Sequence, residues 1–204
     1  CEKRLQRSLA EGCCRRHLGR MAGRPRSFDR DLALDALVDV FWTHGYNGAD
    51  VDKLQQSAGI QRGSFYAAFR DKPTAFLDAL RRYMEFTLLP RLDMLEGEAG
   101  QRRELVEFLE AVGAFVAKQG NRGCMLSEAL VQSPQFDPAL RRQVRRIRSD
   151  LLRKLKRLSG GDEALASFAL ASALGFHALA RSGASKKQIL AASTLAAKAI
   201  GQRR

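Results

Sequence analysis

The chain has 204 residues and carries 35 Lys and Arg against 22 Asp and Glu, a formal net charge of +13. This length allows one or two domains with a buried core, and 45% hydrophobic with 28% charged residues exclude a globally disordered or fibrous chain. Four cysteines, three of them in the first 14 residues, exclude a disulfide scaffold and favour a reducing cytoplasm. The longest uncharged stretch, residues 164–180, is shorter than the roughly 20 strongly apolar residues of a membrane span, so we expect a buried helix and no membrane partner.

Helical periodicity runs through the whole chain and strand patterns are nearly absent, which predicts an all-α protein of about nine helices. Residues 1–20 carry a net charge of +4 and precede Met21, and we expect them to be disordered or foreign to the functional fold. Gly45 is a helix stop, and Ala58-Gly59-Ile60 interrupts a second helical pattern. The N-terminal helices are therefore predicted at Asp29–Thr43, in a short segment after Asp50, and at about 61–69.

A longer connecting helix is predicted to follow. Asp71 caps it, Pro73 occupies its first turn, and Pro90 ends or kinks it near Leu89. Residues 96–101 form a linker. Further helices are predicted at about 102–119, at 124–132, from Asp137-Pro138 to Leu158, from Asp162 to just before Gly183, and from Ser185, whose spacing to Gln188 is a capping box.

The two short helices around Ala58-Gly59-Ile60 form a helix-turn-helix pattern. A small Ala58 suits a close helix crossing, Gly59 permits the turn, and Ile60 fills the corner. Such patterns commonly bind DNA, yet residues 24–75 hold seven basic and seven acidic residues, so the positive charge of the chain lies elsewhere. We predict a DNA-binding domain over residues 21–72 and a second helical domain over residues 73–204.

The run from Ala58 to Lys72 resembles the recognition-helix signature of the tetracycline-repressor (TetR) family, and the basic arm and Gly45-Tyr46 resemble that family too. The resemblance implies a cytoplasmic, homodimeric bacterial repressor that a small-molecule effector releases from DNA. Its third helix would lie in the major groove of a pseudo-palindromic operator. The residues that the resemblance assigns to DNA are Arg24, Arg26, Gln61, Arg62, Ser64, Tyr66 and Lys72.

These DNA-binding residues divide into two roles. Gln61 and Arg62 suit the edges of adenine and guanine, whereas Tyr66 and Lys72 suit phosphates. Two positions depart from the family pattern. Asp50 caps the second helix where the family often has Ser or Thr near a phosphate, and Gln61 replaces a stronger helix cap. Phe65 and Phe69 of the same run are expected to be core residues.

The second domain is expected to bind the effector and to form the dimer. Its aromatic side chains suggest an apolar or aromatic effector, and no cofactor. The candidate pocket residues are Tyr83, Phe86, Phe108, Phe115, Cys124, Met125, Phe136, Phe168, Phe176 and His177. The last two helices are dense in Ala, Ser and Gly, and the resemblance pairs them with a second subunit. The candidate interface residues are Leu170, Leu174, Leu190 and Leu195.

Two alternatives remain open from the sequence. Cys124 follows Gly123 at the start of a short helix, where the helix dipole lowers a thiol pKa, and this favours an electrophile or oxidant sensor. The segment 139–158 carries a net charge of +8; it is either a solvated helix face or a surface for nonspecific nucleic acid or another anion. The sequence shows no metal-ligand cluster and no nucleophile–base arrangement, so an enzyme is not expected.

Overall fold

The computed structural model describes residues 28–93 and 102–202, and these residues contain helices and no strand. This confirms the predicted all-α class. Within these two ranges the α-helices are α1 Arg30–Gly48, α2 Val51–Ala58, α3 Arg62–Phe69, α4 Lys72–Thr87, α5 Leu89–Asp93, α6 Arg102–Gln119, α7 Met125–Gln132, α8 Pro138–Leu158, α9 Glu163–Arg181 and α10 Lys186–Gly201. The helix α4 ends at Thr87, close to Leu89, where Pro90 was expected to end or kink it. The short α5 follows after Leu88. Residues 1–20, Arg24, Arg26 and the linker at 96–101 lie outside the described residues.

Aspartate caps fix the starts of the N-terminal helices. The Asp29 carboxylate accepts from the backbone N–H of Asp31, and Asp50 accepts from Lys53 at 2.7 Å. Asp71 accepts from the N–H of Thr74 at 2.7 Å. Each cap accepts a hydrogen bond from a backbone N–H that has no partner within the first helical turn. Its negative charge also interacts favourably with the positive end of the helix. The local sequence therefore defines where α1, α2 and α4 begin.

Gly45 interrupts α1 as predicted, because its backbone leaves the helical region at φ 68° and ψ 180°. The break redirects the last turn, so that the Tyr46 ring packs edge-on against Phe76 and Phe136 at 5.1 and 4.9 Å between centroids. A side chain at residue 45 would also meet the amide of Gln132, since an added Cβ lies 2.7 Å from Nε2. Gly45 thus positions the aromatic contact between the N-terminal helices and α4.

The helices α1, α2 and α3 enclose a small apolar core. Leu37, Leu54 and Phe65 are fully buried in it, and Phe69 closes the end of α3. Gly59 adopts the left-handed conformation (φ 63°) in the turn between α2 and α3. Phe65 and Phe69 are therefore core residues, as the sequence predicted.

The helices α6 to α10 form the second core, in which α6 and α10 approach most closely. An added Cβ on Gly113 of α6 would lie 2.2 Å from both Cβ and Oγ of Ser193 on α10. Among the described helices, α9 is the one long and apolar enough to cross a membrane. A single helix of this kind is also typical of a protein core, and α9 packs against α6, α8 and α10 with Phe176 and His177 buried.

Three ion pairs join α1 to the rest of the chain. Asp35 of α1 receives the Arg82 guanidinium through two contacts of 2.8 and 3.3 Å. Arg30 of α1 contacts Asp78 of α4 at 2.7 Å. Arg122, in the turn between α6 and α7, contacts Asp39 at 2.8 Å. The helix α1 is therefore held by charges on both α4 and the second core.

Candidate DNA-reading helix and effector cavity

The first turn of α3 presents its polar side chains to solvent. Gln61 and Arg62 are exposed and Ser64 is half-buried, whereas Phe65 is buried beneath them. Tyr66 is exposed and packs edge-on against the ring of Phe65. The spacing of these residues places polar and apolar groups on opposite faces, so that one face of α3 is free to meet a ligand surface.

The polar groups of the exposed Gln61 and Arg62 side chains remain available for binding. Gln61 occupies the cap position of α3 but makes no side-chain cap hydrogen bond. The Arg62 guanidinium lies 5.8 Å from the centroid of the Tyr66 ring, which orients it without pairing it to an acid. Both side chains keep the donors and acceptors that reading a base edge requires.

Lys72 lies at the start of α4, where its ammonium rests 4.5 Å from the centroid of the Tyr46 ring. Partial burial lowers the pKa of Lys72, and the nearby Asp50 carboxylate opposes that effect. The backbone bond from Lys53, and the charges of Lys53 and Lys72, lower the pKa of Asp50. The acidic cap that departs from the family pattern is therefore surrounded by two cations, which reduces its repulsion of a phosphate.

A small enclosed cavity lies between α4, α6, α7 and α9. Its volume is about 20 Å³, enough for one water molecule. Four of the predicted pocket residues line it, namely Tyr83, Phe115, Cys124 and His177. Sequence reasoning missed four further lining residues, Met84, Thr87, Leu88 and Val112. The helical spacing of Thr87 from Tyr83 and of Val112 from Phe108 carried the signal that could have found them.

The other predicted pocket residues lie elsewhere. Phe108, Met125 and Phe176 are buried in the core without lining the cavity, and Phe136 packs on Tyr46 and Phe76 instead. Phe86 and Phe168 do not line this cavity, and each is 43% exposed. The Arg82 guanidinium covers the Phe86 ring at 4.2 Å, and Phe168 lies on the outer face of α9. Periodicity identified these residues as apolar without showing which neighbour each one faces.

Two larger depressions border this region. A surface depression of about 300 Å³ lies between α7 and α9, and it shares Cys124 and His177 with the enclosed cavity. These two side chains therefore separate the cavity from solvent. An open groove of about 240 Å³ lies between α4 and α8, with Met84 and Ile147 in its lining and Arg81 and Lys154 at its edge.

Cys124 occupies the cap position of α7, yet its thiol does not behave as the sequence predicted. Burial raises the pKa of Cys124, and this effect outweighs the bonds from backbone N–H groups of α7 and from the Tyr83 hydroxyl, which lower it. The same enclosure raises the pKa of Tyr83 well above its usual value, with the contact to Cys124 adding to the shift. The expectation of a lowered thiol pKa is wrong because desolvation exceeds the effect of the helix end.

Trp42 of α1 reaches this region from the N-terminal helices, a contact that sequence reasoning missed. Its indole Nε1–H donates to the Gly123 carbonyl at 3.1 Å, in a buried setting. The Trp42 ring packs edge-on against Tyr83 at 4.9 Å, and the Arg122 guanidinium stacks over it at 4.0 Å. Trp42 is the chain's one tryptophan, and the contact joins residues 81 positions apart.

The outer face of α9 and α10 exposes apolar side chains. Of the predicted interface residues, Leu195 is 70% exposed, Leu190 is 43% exposed and Leu174 is half-buried. Leu170 is 7% exposed and packs inside the subunit, so its prediction as an interface residue is wrong. Phe168 and Leu179, exposed on α9, belong to this outer face instead. The face is continuous with small residues such as Ala171 and Gly175.

The basic helix α8 turns its apolar side inward, with Val144, Leu151 and Leu155 buried. The arginines lie on the opposite side; Arg142, Arg145, Arg146, Arg148 and Arg153 are exposed. Arg153 pairs with Asp150 on the same helix, and Arg141 donates to the carbonyls of Pro134 and Phe136. This is the arrangement expected of a solvated helix face.

Residues 33–79 match the family model described as "Bacterial regulatory proteins, tetR family". The chain is 31% identical to the transcriptional repressor ComR of Escherichia coli K12 over 115 residues, 55% of each protein. It is 32% identical to the repressor BdcR of the same organism over 112 residues, 54% of this chain and 57% of BdcR. The chain thus spans just over half the length of these curated relatives, which are transcriptional repressors and not enzymes.

Among solved structures, two cysteine mutants of the TetR-family regulator CifR, both complexed with 26-bp operator DNA, are similar over nearly their whole length. One is 30% identical with a TM-score of 0.73, covering 87% of this chain and 99% of CifR. The other is 31% identical with a TM-score of 0.75, covering 86% of this chain and 99% of CifR. A TetR regulator of Chloroflexus aurantiacus shares the fold at 22% identity and a TM-score of 0.73, with 85% of this chain and 94% of that protein covered.

Proposed function

The chain belongs to the TetR family of transcriptional regulators, and from this premise we propose that it is a dimeric, cytoplasmic repressor that an apolar effector releases from a pseudo-palindromic operator. In this proposal α3 of each subunit enters the major groove. Gln61 and Arg62 contact bases, whereas Tyr66 and Lys72 hold phosphates. Arg24 and Arg26, which lie outside the described residues, extend the contact along the backbone or into the minor groove.

The observation that carries this proposal is the free polar face of α3. Arg62 is exposed, has no acidic partner among the described residues, and is held by Tyr66. Gln61 is at the helix start and is not used as a cap. The operator complexes of CifR support DNA binding by this chain, because CifR and this chain match over nearly the full length of CifR.

Dimer formation is proposed through the outer face of α9 and α10. Exposed leucine and phenylalanine side chains, among small residues, form an apolar face whose exposure to water is unfavourable. The same face of a second copy would cover it. Leu195 and Phe168 are the large side chains at the centre of this proposal. Two subunits would then present two copies of α3, as a pseudo-palindromic operator requires.

Effector binding is proposed at the enclosed cavity. Its present volume admits one water molecule, so an effector must part the surrounding side chains. Cys124 and His177 separate the cavity from the depression on the α7/α9 side, which makes that depression the entrance. The mechanism requires only that the effector bind the parted state more tightly than the closed one.

Selection of bound sequences from a random duplex pool, at near-physiological salt, tests the proposed function. A pseudo-palindromic consensus is expected. Arg62→Ala should weaken binding to that consensus by about 1–3 kcal/mol and relax one base position. Arg148→Ala is a matched control, because Arg148 is an exposed arginine on α8. Recovery of no consensus, with binding that falls steeply with salt, would refute a specific repressor.

The same experiment separates the two alternatives. A nonspecific nucleic-acid binder that uses α8 would tolerate Arg62→Ala and would lose affinity with R142Q/R145Q. An electrophile sensor is favoured by the position of Cys124 between cavity and depression. In that case Cys124→Ser abolishes release of DNA by an electrophile such as N-ethylmaleimide, while reversible release by a noncovalent effector remains.

A further inference from the structure

The turn between α6 and α7 is contacted by side chains from three separate helices. We call Arg122, Gly123 and Cys124 the 122–124 junction. Trp42 of α1 donates to the Gly123 carbonyl at 3.1 Å, and Arg181 of α9 donates to the Arg122 carbonyl at 3.0 Å. Tyr83 of α4 interacts with the Cys124 thiol. Helix α1 of the DNA-reading domain, the connecting helix α4 and helix α9 therefore all contact these three consecutive residues.

Trp42 is the part of this arrangement that belongs to the DNA-reading domain. Its indole N–H is buried, so losing the Gly123 carbonyl would leave a donor without a partner in a dry environment. Asp39, one turn earlier on α1, fixes the Arg122 guanidinium that stacks over the Trp42 ring. Backbone and side chain of the junction thus both hold the orientation of α1.

The enclosed cavity is built from the same residues. Cys124 and Tyr83 line it, and Trp42 packs on the outer side of Tyr83. A cavity of about 20 Å³ cannot admit an effector unless side chains of its lining move, and Cys124 and Tyr83 are two of those eight residues. Movement of Cys124 displaces the adjacent Gly123 carbonyl, and movement of Tyr83 displaces the ring against which Trp42 packs.

We infer that the bond from Trp42 to Gly123 couples the effector cavity directly to the orientation of the DNA-reading helices, so that an occupied cavity and an intact Trp42 bond exclude each other. Trp42 is a positioning residue, acting on α3 through α1 without contacting DNA or effector. The inference rests on the proposed function and adds to it the route by which the effector cavity and α3 communicate. Because coupling is reciprocal, operator DNA must close the junction by the same factor by which opening the junction weakens DNA binding.

The rate at which N-ethylmaleimide labels Cys124 reports on junction opening, since Cys124 is only partly exposed and its thiol lies against Tyr83. The full chain with Cys1, Cys13 and Cys14 changed to Ser carries the single remaining thiol. Labelling is followed by mass spectrometry with and without the operator that sequence selection identifies. In this parent chain, operator DNA is expected to slow labelling several-fold.

Trp42→Phe keeps an aromatic ring at this position but removes the N–H donor together with part of the indole. It is expected to raise the labelling rate of the free protein about 2- to 13-fold, the range that corresponds to the net contribution of one hydrogen bond. It is also expected to abolish the slowing by operator DNA. Asn47→Ala is the matched control, because it removes a different hydrogen bond between α1 and the second core, 2.9 Å to Gln135, and should change neither quantity.

Equal labelling rates and equal operator effects in the parent and in Trp42→Phe overturn the inference. Asp39→Asn offers a second test at an exposed side chain if Trp42→Phe does not fold, with the same direction expected and the same outcome overturning it. The proposed function fails separately, when the parent chain shows no operator binding at all. In that case the effect of Trp42→Phe on the free protein still decides whether the bond closes the junction.

Discussion

Gly113→Ala is expected to destabilise the protein, although alanine favours a helix more than glycine does. The added Cβ would lie 2.2 Å from Cβ and Oγ of Ser193, whereas carbon atoms pack at about 3.5–4.0 Å. Helices α6 and α10 must therefore separate by more than about 1 Å. Overpacking of this kind costs about 1–3 kcal/mol, and the helix propensity of alanine returns about 0.8–1.0 kcal/mol. We expect a net loss of up to about 2 kcal/mol in the free energy of unfolding.

Urea unfolding followed by circular dichroism and by Trp42 fluorescence measures this loss. Gly63→Ala is the control, since an added Cβ there meets nothing within 4 Å and should be neutral or stabilising. Combining Gly113→Ala with Ser193→Gly restores the space between the helices, so the double variant should lose less stability than the two single losses added together. A Gly113→Ala protein more stable than the parent would refute the close approach of α6 and α10.

Three further outcomes follow from the same contacts. Leu195→Asp, at a 70% exposed position, should leave the fold intact and convert a dimer to monomer in sedimentation velocity; an unchanged dimer would place the interface elsewhere. Asp71→Ala should lower the free energy of unfolding by about 0.5–2 kcal/mol at pH 7. Because hydrogen bonds from Thr74 lower the pKa of Asp71, that contribution exists above the usual carboxyl pKa and disappears as the pH falls through the folded value, which urea unfolding between pH 7 and pH 3 checks. Burial raises the pKa of Cys124, so the stabilising effect of its neutral thiol is complete below the usual pKa of 9.0 and is lost as the pH rises through the raised value; Cys124→Ala should remove this alkaline loss, and identical curves would contradict it.

The sequence predicted features whose cause is local. Gly59 in a left-handed turn, the aspartate caps and the capping box of Ser185 with Gln188 each depend on residues within a few positions of one another. The assignment of Phe65 to the core was correct, because the helical period places Phe65 on the face of α3 opposite the polar residues. These features define the helices and the polar face of α3 without knowledge of the remaining chain.

Other features depend on contacts that no local pattern encodes. The partner of the Trp42 indole is 81 residues away, so its role was invisible in the sequence. Phe86 is apolar at a helical spacing, yet the Arg82 guanidinium covers it outside the cavity. The start of α7 predicted a lowered thiol pKa for Cys124, and the opposite shift arises from burial by residues of other helices.

The three ion pairs of α1 have a consequence for how DNA affinity responds to salt. Asp35, Asp39 and Asp78 take part in these pairs, and added salt screens them as it screens protein–phosphate contacts. Raising the salt concentration therefore weakens the ion pairs that orient the DNA-reading helices. It also weakens the contacts of those helices with phosphates. A plot of log affinity against log salt would then be steeper than the phosphate contacts alone dictate. The number of phosphate contacts calculated from that slope would therefore be too large, because part of the slope comes from ion pairs within the protein.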